Sequence, residues 1–264
     1  MSITFTVICP IHNEESMLPY SLPSVYRLRP NEVILILDRC TDSSRRICEI
    51  ASSHYPKTRT RLVDVDNSTV EGWASRIGAI RRHAFSISSS DAILNTDADI
   101  VLDAKIGDYM KELKSSVRMI KFGFMDYPFN PQSFVKKIMS GFSSLPSIVK
   151  GYAGLYCFSK EAWQMSEAPA SAQIAEAEDS HLQVSISQRY QVLYKNTGSL
   201  HLRPAETKEK NFWRGMEYYR TVKASTIMVL LHSFVMLRPH MLSGYLYAMN
   251  VDTGHGRIQS EKPL

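Results

Sequence analysis

Two aspartates separated by one residue, Asp97 and Asp99, are the side chains of this sequence best placed to do chemistry. They follow a short apolar run, residues 92–94, which is typical of a buried strand in a parallel sheet. Alternate residues of an extended chain point to the same side, so we expect the two carboxylates to be co-directed. A hard divalent cation that carries phosphate groups would compensate their charges. The alternative is a solvated acidic turn before a helix that begins near Ala104.

Polar side chains also follow the first predicted strand, Ile3 to Cys9, which is rich in β-branched residues. Pro10 cannot donate to a strand ladder, so we expect the chain to leave the sheet there. Beyond it, His12 offers an imidazole ring and Asn13 an amide. These groups belong at the C-terminal end of the strand, where open α/β sheets bind ligands.

The second predicted strand, Glu32 to Leu37, is a continuous apolar run and ends at Asp38. A carboxylate at this position can accept the imide N–H of a uracil, or the N1–H and amino group of a guanine. Asp42 has a simpler role available, because it or Ser43 can cap the helix that follows.

The elements that must position these groups alternate between strand and helix through residue 95, with a third strand over Leu62–Val65. A helix is predicted over Trp73–Ile87. Arg76 near its start is placed to reach phosphates, whereas Arg81 and Arg82 are expected at the surface. The alternation predicts a doubly wound, mostly parallel α/β sheet whose polar strand ends converge on one edge. The glycine patterns of a Rossmann dinucleotide loop and of a P-loop are absent from the sequence.

Three motifs, in this order and spacing, resemble family 2 inverting glycosyltransferases with the GT-A fold. Pro10-Ile11-His12-Asn13-Glu14 matches the end of the family's first strand, the segment Leu37–Asp42 loosely matches the end of its second, and Asp97-Ala98-Asp99 matches its metal motif. The resemblance is clear over residues 1–103 and weaker to about residue 200. Leu37 replaces the first acid of the second motif and Arg39-Cys40 replaces Gly-Ser, while the second acid is kept as Asp38.

The resemblance implies a hexosyltransferase-type enzyme whose donor is a nucleotide-diphosphate sugar of the UDP or GDP type. It implies a Mg²⁺ or Mn²⁺ ion at Asp97 and Asp99, with His201 as a third ligand or a diphosphate contact helped by Arg203. The alternative for His201 is a structural role. The implied nucleotide-sugar-binding residues are Pro10, His12, Asn13, Glu14, Asp38, Arg76, Asp97, Ala98 and Asp99.

The second half supplies a candidate catalytic base. The segment Ser166–Ala177 is small and polar and is predicted to be a mobile loop or lid, and Glu178 and Asp179 follow it. The pair resembles the family's Glu-Asp motif, in which the Asp is the general base, and His181 is a weaker candidate. The alternative is an acidic first turn of a helix, which the helix dipole favours.

Other elements predicted there are a helix from Ala104 to Leu113, a strand from Val117 to Phe124, a helix from Asn130 to Phe142, a glycine-punctuated aromatic strand over 151–158 and a strand from Tyr190 to Tyr194.

The C-terminal part is predicted to be a helical extension, residues 206–264, that follows a GT-A-like domain over 1–205. Within that domain, 1–103 forms the nucleotide-sugar half and 104–205 the acceptor half. Residues 211–237 are expected to form one or two helices. The run Thr226–Leu237 is apolar nearly all round, with three alternatives: packing on the catalytic domain, a homodimer contact, or a membrane interface within 211–240. A disordered tail is expected from Asp252.

Composition and charge narrow the function class. The 264-residue chain has a net charge of +5, and residues 201–264 hold nine Lys/Arg against five Asp/Glu. This excess is too small to argue for nucleic acid. The four cysteines form no CxxC pair, which favours a reducing compartment. Because a signal peptide and an 18-residue apolar run are both absent from the sequence, we expect a cytoplasmic protein, either free or peripheral at the inner face of the membrane.

The resulting hypothesis is a metal-dependent inverting glycosyltransferase that acts on a hydroxyl of a glycan, lipid or small molecule. Two alternatives stay open at this point. A nucleotidyltransferase would also use acids and a metal, although it usually needs a glycine-rich loop that PIHNEE does not supply. A non-catalytic nucleotide- or glycan-binding module would keep Asp38 but would need neither Asp99 nor Asp179.

Overall fold

A computed structural model describes residues 3–65, 73–114, 116–127, 154–166, 178–202, 208–220, 224–235 and 237–254. The chain divides into two compact units, Met1–Arg203 and Pro204–Leu264. The predicted helix over 130–142, residues 167–177 of the predicted lid over 166–177, and the polar tail beyond 254 lie outside the described residues.

The strands described in the first unit form one eight-stranded sheet in the order β3-β2-β1-β4-β7-β6-β8-β5. Pairs among β1 to β4 are parallel, as is β6–β8, while β7 runs antiparallel to β4 and β6, and β5 to β8. The predicted mostly parallel sheet is therefore confirmed. The strands are β1 Phe5–Ile11, β2 Glu32–Asp38, β3 Arg59–Val65, β4 Ala92–Asn95, β5 Ile100–Val101, β6 Val117–Asp126, β7 Tyr156–Ser159 and β8 Gln191–His201.

Helices cover both faces of this sheet. Alternate residues of β1 and β2 enter two separate cores: Val7 and Val33 face one, and Ile8 and Ile34 face the other. A strand that is buried on both faces must be apolar throughout, which explains the continuous run of β2. The helices of the first unit are α1 Leu18–Arg27, α2 Ser44–His54, α3 Trp73–Ile87, α4 Ile106–Met110, α5 Lys160–Met165 and α6 Glu178–Ser187.

Pro10 does not end the first strand, contrary to expectation. It lies within β1 and is in register with Ile36 of β2. The carbonyl of Ile8 accepts a hydrogen bond from Thr96 on the β4 side, and Pro10, two residues on, faces that same side. Because β4 ends at Asn95, the missing N–H of Pro10 falls where the neighbouring strand has already stopped.

The second unit contains three described helices: α7 Lys208–Arg220, α8 Thr226–Val235 and α9 Pro239–Gly254. α7 and α9 cross with their backbones in contact, since a Cβ added at Gly215 would overlap the carbonyl of Met241 and one added at Gly244 would overlap that of Phe212. Only glycine permits this approach. Asp252 lies in α9 and pairs with Arg220, so the disordered tail expected from Asp252 is wrong at this residue.

None of the helices described is long and apolar enough to cross a membrane. The four cysteines are free thiols.

Candidate active site

The loops after β1 and β2 are joined by hydrogen bonds at the C-terminal edge of the sheet. Asn13, which has a positive φ of 53°, accepts a hydrogen bond of 2.8 Å from the backbone N–H of Thr41 through its side-chain oxygen. The backbone N–H of Glu14 donates to the Ser44 hydroxyl over 2.8 Å. Asn13 and Glu14 therefore lie at the predicted edge, and these contacts set the spacing of the two loops.

Asp38 is the last residue of β2, and its carboxylate is buried. Arg76 donates to one carboxylate oxygen over 2.8 Å, and Arg39 donates to the other over 3.2 Å. The His12 ring lies beside them, with Nδ1 2.6 Å from the Asp38 carbonyl. The structure thus brings His12, Asp38 and Arg76 together. Arg76, which we expected to reach phosphates, is paired with Asp38.

Asp97 and Asp99 are not on an extended segment. The N–H of Ile100 donates to the Asp97 carbonyl over 3.2 Å, which closes a turn, so the two side chains have different partners. The expected extended conformation of this segment is therefore wrong. Ala98 between them is buried and belongs to the hydrophobic core.

Asp97 pairs with Arg81, whose Nη2 lies 2.5 Å from Oδ1. The expected surface position of Arg81 is wrong: it follows Ile80, which packs in the core under α3, and it is only 8% exposed. Desolvation and the nearby charge of Asp99 raise the pKa of Asp97, while the Arg81 guanidinium opposes this. Gly154, at φ +82°, lies against the same carboxylate, since an added Cβ there would stand 2.5 Å from Asp97 Oδ2.

Asp99 faces His201 rather than an arginine. His201 Nε2 lies 3.2 Å from Asp99 Oδ2, and its Nδ1 lies 2.9 Å from Asp126 Oδ1. Desolvation lowers the pKa of His201, but the hydrogen bonds with Asp126 and Asp99 outweigh it and raise the pKa to about 9. The imidazole is therefore held between two buried carboxylates.

Asp126 was not singled out in the sequence. It is the last residue of β6 and lies in register with His201, the last residue of β8. The signal that identified Asp38, an acid at the end of an apolar strand, is also present at Asp126. The sequence predicts that this strand ends at Phe124, two residues early. Asp126 was therefore not recognised as an acid at a strand end.

Mg²⁺ and Mn²⁺ favour carboxylate oxygen ligands, which the aspartates at this edge supply. Asp99 and His201 are the candidate ligands that lie within 3.2 Å of each other, with Asp97 across the turn. In the described part of the chain, no three His, Cys, Asp or Glu side chains already form a metal-binding group. These side chains are of types that bind metal ions, and Asp99 and His201 are the two that would hold one.

The candidate base lies at the start of α6, where Glu178 and Asp179 form the first turn. Their side chains, that of His181, and Arg203 are outside the described part of the structure. α6 is tied to the sheet by Gln183, which accepts a hydrogen bond of 2.9 Å from Lys121 on β6. The backbone position of Asp179 is thus set by a helix that packs on the sheet.

Comparisons with known proteins agree with this architecture. Minor teichoic acid biosynthesis protein GgaA of Bacillus subtilis (strain 168) is 39% identical over 69 residues, which is 24% of this chain and only 15% of that protein. Mannosyltransferase PcManGT from Pyrobaculum calidifontis, in complex with GDP-Man and Mn²⁺, has a TM-score of 0.63 at 16% identity, over 98% of this chain and 77% of that one.

Glucosyl-3-phosphoglycerate synthase from Mycobacterium tuberculosis, in complex with Mn²⁺, UDP and glucosyl-3-phosphoglycerate, has a TM-score of 0.52 at 16% identity, over 77% of this chain and 73% of that one. At these identities the two structures show the fold, and they confirm the GT-A-like prediction. The family model for glycosyl transferase family 2 matches residues 6–140, about half of the chain. The predicted glycosyltransferase is thereby confirmed, and the chain belongs to glycosyl transferase family 2.

Proposed function

We propose that this chain transfers a sugar, with inversion and with the help of Mg²⁺ or Mn²⁺, from a nucleotide-diphosphate sugar to an acceptor hydroxyl. The observation that carries the proposal is the shared sheet edge at which Asp38, the Asp97–Asp99 turn and His201 lie. The similar structures with GDP-Man and Mn²⁺, and with UDP and Mn²⁺, support a donor of the UDP or GDP type. The acceptor is a glycan, a lipid or a small molecule.

Asp38 receives the donor base in this proposal. Its carboxylate accepts N–H groups of the base, and the two arginines beside it hold the carboxylate in place. The exposed His12 ring, held by the Asp38 carbonyl, offers a face next to the base. Pro10 and Asn13 keep the loop that carries His12 in place.

Asp99 and His201 would hold the ion, with Asp97 beside them. When bound, the ion supplies positive charge that stabilises the departing diphosphate. Asp126 fixes the imidazole so that Nε2, rather than Nδ1, faces Asp99. Arg81 keeps Asp97 charge-compensated at the same turn.

Asp179 takes the proton of the acceptor hydroxyl, which then attacks the anomeric carbon on the face opposite the diphosphate. An acceptor phosphate needs no such base, so the effect of Asp179→Asn depends on acceptor chemistry. With a hydroxyl acceptor we expect kcat to fall by about 10²–10⁴-fold. Glu178→Gln is expected to lower kcat less than Asp179→Asn does. Equal losses of kcat in the two variants would contradict the choice of Asp179 as the base.

The first experiment is a thermal-shift panel with UDP, GDP, dTDP and CDP sugars, each with Mn²⁺, Mg²⁺ or EDTA. A ligand that binds only the native state raises its melting temperature by mass action. We expect a metal-dependent shift with one nucleotide class, and Asp99→Asn should remove the metal dependence. A folded sample that responds to none of these ligands contradicts the proposal.

A product assay distinguishes the reaction type. Release of a nucleoside diphosphate indicates sugar transfer, whereas release of pyrophosphate indicates nucleotidyl transfer.

A further inference from the structure

A lysine is buried on the face of the sheet that α6 covers. Lys121 of β6 is only 4% exposed. Met119, two residues earlier, and Tyr156, the register partner of Lys121 on β7, both belong to the core that contains Leu182 and Ile186 of α6. Since alternate residues of a strand share a face, the Lys121 side chain points to this side of the sheet. Burying an ammonium group in an apolar core costs free energy unless polar groups compensate it, so Lys121 needs polar partners there.

Gln183 of α6 is such a partner, and both ends of its amide are hydrogen-bonded. Oε1 accepts a hydrogen bond of 2.9 Å from Lys121 Nζ, and Nε2 donates one of 2.7 Å to the Tyr194 hydroxyl. An ammonium group can only donate, so the amide oxygen must face Lys121 and the NH₂ group must face Tyr194. Lys121 and Tyr194 lie in register on the neighbouring strands β6 and β8. Two strands therefore hold the two ends of one amide, and we call Lys121, Gln183 and Tyr194 the α6 tether.

The first turn of α6 carries the candidate base and contains no apolar residue. Residues 178–181 are Glu, Asp, Ser and His, and the apolar side chains that pack α6 into the core, Leu182 and Ile186, come after them. A ten-residue helix has little stability of its own, and helix ends fray. Gln183 follows Asp179 by four residues, about 6 Å along the helix axis, so the two positions share one face of α6. The tether therefore holds the helix one turn from the position of Asp179.

We propose that the α6 tether positions Asp179 for removal of the acceptor proton, which makes Lys121, Gln183 and Tyr194 positioning residues of the transfer reaction. This role rests on the proposed function, in which Asp179 is the base. Lys121 is buried, so it acts through the helix rather than on the substrate. A displacement of about 1 Å in a catalytic group lowers turnover by up to about 100-fold.

Gln183→Met tests the tether, because it keeps the length of the side chain and removes both hydrogen bonds. The assay measures release of nucleoside diphosphate with Mn²⁺ and water as the acceptor. Its donor is UDP-glucose or GDP-mannose, whichever gives the larger thermal shift. We expect kcat to fall about 10- to 100-fold with an unchanged KM for the donor, because the groups that hold the donor are not on α6. The conservative variant Gln183→Glu keeps an oxygen towards Lys121 and should recover most of the loss.

Arg118→Met is the matched control. It also replaces a cation of β6 by methionine, and it removes the 2.8 Å ion pair of Arg118 with Glu161 near the start of the strand. It should lower stability without lowering kcat.

Hydrogen exchange provides a second readout that needs no substrate. The amides of residues 183–185 have the carbonyls of residues 179–181 as their helical acceptors. They should exchange at least about tenfold faster in Gln183→Met than in wild type, and at the wild-type rate in Arg118→Met.

Unchanged exchange in Gln183→Met, or equal acceleration in Arg118→Met, overturns the proposal. A change in KM alone, or faster exchange with an unchanged kcat, also overturns it. Asp179→Asn identifies a failure of the proposed function itself: if that variant keeps the wild-type kcat, Asp179 is not the base, and the positioning role is overturned with it even where exchange is faster.

Discussion

The candidate active site has two sides that compensate the charges of its carboxylates in different ways. On one, which we call the arginine side, Arg76 and Arg81 of the single helix α3 pair with Asp38 and Asp97. On the other, the histidine side, His201 lies between Asp99 and Asp126. A guanidinium is always charged and has no lone pair to give, whereas a neutral imidazole can bind a metal ion.

Because of this difference, we expect the two sides to have different roles in the site. The two guanidinium groups cannot act as metal ligands, so their part is to compensate the charges of the two acids and to orient them. On the histidine side, Asp99 and His201 would hold an ion if His201 gave up its proton, because Nε2 already faces Asp99. We therefore place the metal on the histidine side, with Asp97 as the contribution from the arginine side.

The largest expected effect comes from removing the charge of Asp99. Asp99→Asn should lower kcat by about a thousandfold or more, because a metal ion contributes several kcal/mol to stabilising transition-state charge. The measurement is nucleoside diphosphate release across a Mn²⁺ titration, with Asp108→Asn as the control at an exposed carboxylate. Undiminished, metal-stimulated turnover in Asp99→Asn would place the ion elsewhere.

Removing Arg81 tests the arginine side through stability. Arg81→Met leaves Asp97 in a partly buried position without its partner, and we expect a loss of about 1–3 kcal/mol in the free energy of unfolding. The Asp97 side chain is 38% exposed, so solvent screening keeps the loss below that of a fully buried pair. Arg45→Met, which removes an exposed pair with Asp64, is the control and should change nothing measurable. Equal losses in the two variants would contradict the buried role of Arg81.

The pH dependence of stability should come from the histidine side. In EDTA, protonated His201 stabilises the fold fully below the unfolded pKa of about 6.5, because its folded pKa is raised to about 9. That contribution, of the order of 3 kcal/mol, is lost as the pH rises through about 9. Urea unfolding from pH 6 to 10 measures it, and His201→Asn should flatten the slope in this range. A wild-type stability that stays level over these pH values would contradict the assigned partners of His201.

The smallest expected effect compares the two arginines at Asp38. Arg76 is mostly buried and its bond is 2.8 Å, whereas Arg39 is more exposed and its bond is 3.2 Å. Arg76→Met should cost about 1–2 kcal/mol of stability, and Arg39→Met less than about 0.5 kcal/mol. Chemical denaturation of both variants measures the two losses. A larger loss of unfolding free energy in Arg39→Met would contradict the greater contribution expected from Arg76.

Local patterns predicted much of the fold because they depend on neighbours in the chain. Helix α3 has the bounds Trp73–Ile87 that its sequence predicted, and β2 extends the predicted strand by one residue to Asp38. The predictions from sequence were wrong where the conformation of a residue depends on a second element of the fold. Pro10 stays in β1 because β4 stops beside it, and a sequence pattern at Pro10 carries no information about where β4 ends.

The sequence by itself determined which strand ends carry polar groups, and therefore that Asp38, Asp97 and Asp99 lie at one edge of a parallel sheet. Only the tertiary structure decided their partners. Asp38 meets Arg76 and Asp97 meets Arg81 because α3 packs across the sheet, and Asp99 shares His201 with Asp126 because β6 and β8 end in register. His201 and Asp126 are 75 residues apart in the chain, and only the packing of the strands brings them within a hydrogen bond of each other.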